Sequence, residues 1–194
     1  MFQIRIHGRG GQGVVTAAEI LSIAAFLEGK YAVAFPTFGS ERMGAPVTAF
    51  CRIDSKRIRL REPVVSPDAV IIQDATLLRN IPVFAGLPNS GCALINTSRS
   101  LEELGISDLL EATEVNRCRT LPASLIALEH TGRPIPNAAL LGGFAGLTNL
   151  LKFESIAAAI RDKFPGQMGE KNAAAALTAY ELVCERNVGY APAN

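Results

Sequence analysis

The stretch His7-Gly8-Arg9-Gly10-Gly11-Gln12-Gly13 places four glycines in the six positions from Gly8 to Gly13. Glycine loses more freedom on folding than any other residue, so such a cluster marks turns with positive φ, or a ligand or chain approaching where a Cβ would collide. Its flanks set the context. Phe2 to Ile6 alternates as Phe-Gln-Ile-Arg-Ile, the period of a strand. Val14 to Leu27 is apolar on all sides and rich in helix formers, with Gly29 at the C′ position beyond it. Tyr31 to Phe35 reads as a second strand ended by Pro36. Strand, glycine turn, helix and strand in that order predict a Rossmann-like βαβ opening.

Further along, Val47 to Ile53 and Arg57 to Arg61 flank Asp54-Ser55-Lys56 as the arms of a hairpin with one wet face would, which makes the sheet mixed. Ala69 to Gln73 and Cys92 to Asn96 suit buried strands, and Val115 to Arg119 is a weaker candidate. Helices are predicted over much of Leu121 to His130, Asn137 to Leu151, Ser155 to Phe164 and Glu170 to Glu185. The expected fold is α/β, a three-layer α/β/α arrangement with a mixed, mostly parallel sheet and a helical C-terminal part. No repeat, low-complexity linker or composition break divides the chain, so residues 1–188 are expected to form one domain, with 189–194 a tail.

The 194 residues include 19 Lys+Arg against 18 Asp+Glu, a formal net charge of +1, so no global field draws the chain to nucleic acid or to an anionic membrane. Hydrophobic residues make up 48% and charged residues 19%, which predicts a greasy surface shared with partner subunits. No signal-peptide pattern follows Met1, and no apolar stretch reaches bilayer-spanning length; a cytoplasmic location is expected. Cys51, Cys92, Cys118 and Cys184 are scattered without metal-ligand spacing, so they read as small buried hydrophobes rather than iron–sulfur or zinc ligands.

Gly8-x-Gly10-x-x-Gly13 matches the dinucleotide fingerprint, and backbone N–H groups at a helix N-terminus suit a phosphate. The fingerprint also needs an acid at the end of the second strand to hold a ribose hydroxyl. Ala32-Val33-Ala34-Phe35-Pro36 supplies none; Glu28 precedes the strand, and Glu41 lies beyond a further glycine. A stand-alone Rossmann-type dinucleotide-binding module and a purely structural subunit, its glycines serving only a tightly packed turn, therefore remain as alternatives. The segment Phe35 to Val47, with Pro36, Gly39, the Glu41-Arg42 pair, Gly44 and Pro46, reads as a shaped loop on the same sheet edge as the glycine turn.

Three stretches carry a resemblance: "GRGGQGVVTAAEIL", "AFPTFGSERMGAPVTAFCRI" and, much later, "IPNAALLGGFAGL". In this order, over nearly the whole chain, they resemble the gamma subunit of the 2-oxoacid:acceptor (pyruvate:ferredoxin) oxidoreductases. That family usually has two arginines before the glycine at Gly44, where this chain has Arg42-Met43. The resemblance implies a subunit of an enzyme of anaerobic metabolism that oxidatively decarboxylates a 2-oxoacid to its coenzyme A thioester. Thiamine diphosphate, magnesium and iron–sulfur clusters would reside in partner chains: thiamine-binding alpha- and beta-type subunits, an iron–sulfur subunit and, with NAD as acceptor, a flavoprotein. This chain would bind no cofactor alone but would help form the coenzyme A site. The residues so implied are Gly8, Arg9, Gly10, Gly11, Gln12, Gly13, Gly39, Glu41, Arg42, Gly44 and Asn137, with no catalytic residue and no metal ligand.

Outside these stretches, Arg52, Lys56, Arg57, Arg59 and Arg61 against Asp54 and Glu62 read as the solvated face of the hairpin. His7 and His130, the only histidines, assemble no nucleophilic constellation and read as ordinary satisfied side chains. Asn137 has a sufficient structural role as an N-cap. Gly142, Gly143 and Gly146 lie where a helix disfavours glycine and predict close helix packing.

Overall fold

The computed structural model describes residues 1–37, 43–106 and 117–188, with side chains to Glu185. Strand β1 (Phe2–Arg9) is followed by helix α1 (Val14–Leu27), β2 (Tyr31–Pro36), β3 (Pro46–Asp54), β4 (Ala69–Ile72), a 3-10 helix (Ala75–Arg79), β5 (Cys92–Asn96) and β6 (Cys118–Leu121). Helices α2 (Ala123–Thr131), α3 (Asn137–Thr148), α4 (Phe153–Lys163) and α5 (Gln167–Val188) complete the described chain. The strands form one sheet in the order β2-β3-β1-β4-β5-β6. β1, β4, β5 and β6 run parallel, while β3 is antiparallel to both β1 and β2. The sheet is mixed and mostly parallel, as expected.

Two expectations are corrected. β1 and β2, joined by α1, are not neighbours: β3 lies between them, so the βαβ opening is split. The hairpin partner of β3 is β2, not Arg57–Arg61, which forms no strand. β3 is bordered along its length by β1 on one side and β2 on the other, so no free edge remains for a third partner. The segment after β3 instead crosses the back of the sheet, held by buried arginines. Arg52 is 2% exposed, donates from Nη1 to the Glu62 carbonyl (2.7 Å) and lies 5.5 Å from the Phe35 ring centroid. It is a desolvated cation satisfied by carbonyls, not part of a wet face. Arg5 Nη1 donates to the Val64 carbonyl (3.2 Å) and Nη2 to the Val83 (3.0 Å) and Ala85 carbonyls.

One sheet face carries the five described α-helices over a core that includes Ile4, Ile6, Leu21, Ile71, Leu94, Leu140 and Phe144. On the other face Val70, Ile72, Ala93 and Ile95 pack against Leu77, Val83 and Ile106 of the β4–β5 and β5–β6 connections. Crossovers leaving a parallel sheet in opposite directions fall on opposite faces when each keeps the right-handed sense. The second outer layer is thus built, among the described residues, from a 3-10 helix and turns instead of α-helix. α1 ends as predicted, with Gly29 at φ 72 and the Lys30 N–H donating to the Ala25 carbonyl (3.0 Å). α3 packs tightly against α5: a Cβ on Gly142 would lie 2.7 Å from the Cα of Ala176, so the glycines serve as the close-packing surface expected of them.

Candidate functional site

The glycine turn joins β1 to α1 at the carboxyl edge of the sheet. Gly8 is the close-packing glycine: a Cβ there would stand 2.6 Å from Val14 Cγ2 and 3.2 Å from Gln73 Cβ. Gly11 (φ 93) and Gly13 (φ 72) occupy the left-handed region, which glycine enters without steric cost. Gly13 also accepts the first helical bond of α1 from Ala17 (2.9 Å), and no side chain caps the helix. The N–H groups of its first turn therefore have no intrahelical partner, at the positive end of the helix dipole.

The second loop meets the first, as its place on the sheet edge predicted. The Gly10 N–H donates to the Ala45 carbonyl (2.9 Å) and the Gly44 N–H to the Gly10 carbonyl (3.1 Å). Met43, 86% exposed, lies over Gly11, where a Cβ would stand 2.9 Å from its Cε. Gly44 (φ 77) has open space on its Cβ side. Gly39, Glu41 and Arg42 lie outside the described residues.

Arg9 and Gln12 are both turned towards Asp74, just after β4. Asp74 Oδ2 accepts from Arg9 Nε (3.1 Å) and Gln12 Nε2 (3.0 Å), while Gln12 Oε1 accepts from the Arg9 N–H (2.8 Å). Arg9 also donates to the Gly44 carbonyl (3.0 Å) and to Thr76 Oγ1 (2.8 Å). Burial alone would raise the Asp74 pKa, but hydrogen bonds from Thr76 and Gln12 and the charge of Arg9 outweigh it and hold the carboxyl below the usual range. Sequence reasoning missed Asp74, although a carboxylate just beyond an apolar strand at this edge was a readable sign.

Asn137 is the first residue of α3, not its N-cap; that position belongs to Pro136, and no side chain caps the helix. Asn137 is 3% exposed, and its Oδ1 accepts from the Ala138 N–H (2.8 Å), which directs Nδ2 to the other side, beside Gly13. The loop thus separates two clefts. One, of about 290 Å³, is lined by Arg9, Gly10, Gly11 and the first turn of α1. The other, of about 250 Å³, is lined by Gly11, Gly13, Thr16, Arg133, Asn137 and Asn172. A larger cleft of about 690 Å³ lies at the far end of α1 beside Phe26 and Tyr31, where Lys30 is already bound to Glu28 and the Leu150 carbonyl. His7 is buried and its Nε2 has no hydrogen-bond partner among the described residues; burial, followed by the charge of Arg5, pushes its pKa down to about 4, so it is neutral at pH 7. No group of His, Cys, Asp and Glu among the described residues is arranged to hold a metal. None of the described helices is long and apolar enough to cross a membrane.

An open α/β sheet with a glycine turn leading into an uncapped helix at its carboxyl edge defines a class of Rossmann-like α/β domains. Within it, the chain belongs to the pyruvate ferredoxin/flavodoxin oxidoreductase family, whose model matches residues 3–182, and is a gamma subunit of a 2-oxoacid ferredoxin oxidoreductase complex. It is 52% identical over 181 residues to the pyruvate/ketoisovalerate oxidoreductases common subunit gamma of Pyrococcus furiosus, covering 93% of this chain and 96% of that one. It is 51% identical over 186 residues to pyruvate synthase subunit PorC of Methanocaldococcus jannaschii, covering 96% and 99%. The crystal structure of pyruvate oxidoreductase subunit PORC from Thermotoga maritima superposes with a TM-score of 0.78 at 36% identity, over 93% of this chain and 95% of that one. The fold also recurs in the 2-oxoglutarate:ferredoxin oxidoreductase of Magnetococcus marinus, a structure with coenzyme A bound (TM-score 0.71, 20% identity), where this chain spans 32% of the longer one.

Proposed function

We propose that this gamma subunit supplies part of the coenzyme A site of its complex. Thiamine-binding partner subunits would decarboxylate the 2-oxoacid, and an iron–sulfur subunit would remove the electrons. The observation that carries the reading is the bare backbone between the two clefts: the uncapped first turn of α1, Gly11 and Gly13 at positive φ, and the Asn137 amide beside them. Together they offer N–H donors at the positive end of a helix to an anionic group such as a coenzyme A phosphate. Gly10, Gly11, Gly13 and Asn137 face the ligand, while Gly8, Arg9, Gln12 and Gly44 hold the loop in shape; Gly39, Glu41 and Arg42 are proposed to complete the site from the second loop. The acid itself is bound elsewhere. The Pyrococcus relative's description as common to pyruvate and ketoisovalerate oxidoreductases suits a subunit that does not choose between them.

The test is Gly11→Val in the assembled complex. Valine resists φ 93 and directs its methyl groups at Met43 and the mouth of the cleft. The KM for coenzyme A should rise sharply relative to any change in the rate of 2-oxoacid decarboxylation, the half-reaction of the partner subunits. A variant that assembles and keeps the wild-type KM for coenzyme A removes the loop from the site.

A further inference from the structure

We propose that Asp74 is the positioning residue that keeps the ligand face of the glycine loop bare, an assignment that rests on the coenzyme A reading of that loop. β1 and β4 are adjacent parallel strands, and the connections that follow them leave on opposite faces of the sheet. An open α/β sheet forms a crevice at such a point, between the loops beyond the two carboxyl ends. In this chain a carboxylate bridges that crevice.

Asp74 is held firmly enough to act as a fixed point. It caps the 3-10 helix, its Oδ1 accepting from the Thr76 N–H (2.9 Å) and the Thr76 hydroxyl, which leaves Oδ2 directed at the glycine loop. There it takes Arg9 Nε and Gln12 Nε2 together. Arg9 and Gln12 are the two long polar side chains of the turn, and both are tied to Asp74 on the β4 side of it, with Arg9 also forming one wall of the cleft beside the first turn of α1. Beside Arg9 that cleft is lined by Gly10, Gly11 and Gly13, whose flexible backbone would otherwise sample many shapes. Arg9 also neutralises the carboxylate, so an anionic ligand on the α1 side does not face an unpaired negative charge. Asp74 therefore contributes without touching the ligand: it draws Gln12 out of the ligand's path, pins Arg9 against the cleft wall and fixes the amides the ligand is to meet.

Asp74→Asn tests this in the assembled complex. The amide can still cap Thr76 through its oxygen, but it then turns an NH₂ group towards the donors of Arg9 and Gln12. Two measurements are made: hydrogen exchange at the amides of residues 10–13, and the KM for coenzyme A set against the rate of the decarboxylation half-reaction. Loss of charge-assisted bonds to a partly buried carboxylate should speed exchange by about tenfold and raise the KM by about tenfold more than it slows the half-reaction. Gln12→Ala removes its bond to Asp74 and the one it accepts from the Arg9 N–H, and should give a defect of the same kind. The double variant should fall short of the sum of the two single defects, because the Gln12–Asp74 bond is shared between them. Unchanged exchange at residues 10–13, or strictly additive defects, would overturn the proposal. So would a half-reaction that falls as far as the KM rises. If Gly11→Val raises the KM and Asp74→Asn does not, only the role of Asp74 fails. If neither moves it, the coenzyme A reading fails, and this inference with it. Should Asp74→Asn not assemble, Gln12→Ala alone decides: no change in exchange or KM would refute the coupling.

Discussion

Gly142→Ala is expected to destabilise the protein, against the direction that helix propensity alone gives. In an isolated helix the change would stabilise by about 1 kcal/mol, because alanine is the best helix former and glycine among the worst. In this structure the new Cβ would lie 2.6 Å from the carbonyl carbon of Ala176 and 2.7 Å from its Cα, against the backbone of α5. Backbone cannot rotate aside as a side-chain tip does, so α3 and α5 must part by on the order of 1 Å to restore ordinary contact, which forfeits a quarter to a half of the dispersion well for atoms along the seam. Overpacking of this kind costs about 1–3 kcal/mol and more where backbone must move; after the propensity gain, a net loss of about 2 kcal/mol remains. For a chain of this size that lowers Tm by roughly 4–8 °C. Gly143→Ala is the control, because its Cβ would meet mainly the tips of Leu121, Leu94 and Val183, which can give way. Thermal melts of both variants should show Gly142→Ala several degrees below Gly143→Ala. A Gly142→Ala variant as stable as wild type would refute the close approach of the two helices.

His7, held neutral with a pKa pushed down to about 4, resists a proton that the unfolded chain accepts near 6.5, so its contribution is complete above pH 6.5 and lost as pH falls towards 4. Between pH 7 and 4.5 that loss is about 2 kcal/mol, and denaturant titrations at these two values should show it in wild type and largely abolish it in His7→Gln; equal acid sensitivity of the two refutes the assignment. Burial pushes Cys51 and Cys92 up to about 12 and Cys118 to about 11. A disulfide reagent at pH 8 should therefore titrate only Cys184 quickly in the native protein and all four thiols after unfolding, whereas a second fast thiol would contradict the packing.

The helix α1 was legible to the residue because glycines bracket it, and β5 because turn residues bound its apolar run. The partner of β3 was not. Arg57 to Arg61 alternates as a strand does, yet pairing depends on which edges stay free, and β2 takes the last one through a loop whose return direction leaves no mark on local sequence. Arg52 was misread for a related reason: its burial depends on the Glu62 carbonyl and the Phe35 ring, neither of them part of the same strand. At the site, the glycines announced themselves, but the destinations of Arg9 and Gln12 depended on Asp74, more than 60 residues away. Asn137 was noticed for the wrong position; the preceding prolines mark the helix start, and Pro136 takes the cap.

The bonds of Arg5 give this fold a schedule. β1 is made early, yet one neighbour, β4, ends at Ile72, and the carbonyls that satisfy its guanidinium belong to residues 64–85. At synthesis rates of 5–20 residues per second, those partners follow roughly 4–16 s behind it. Until then the first strand and the glycine turn wait without their final neighbours, with a cation that the growing chain has no means of seating. A nascent chain in that state exposes apolar strand edges, and it does so before its helical half has been translated.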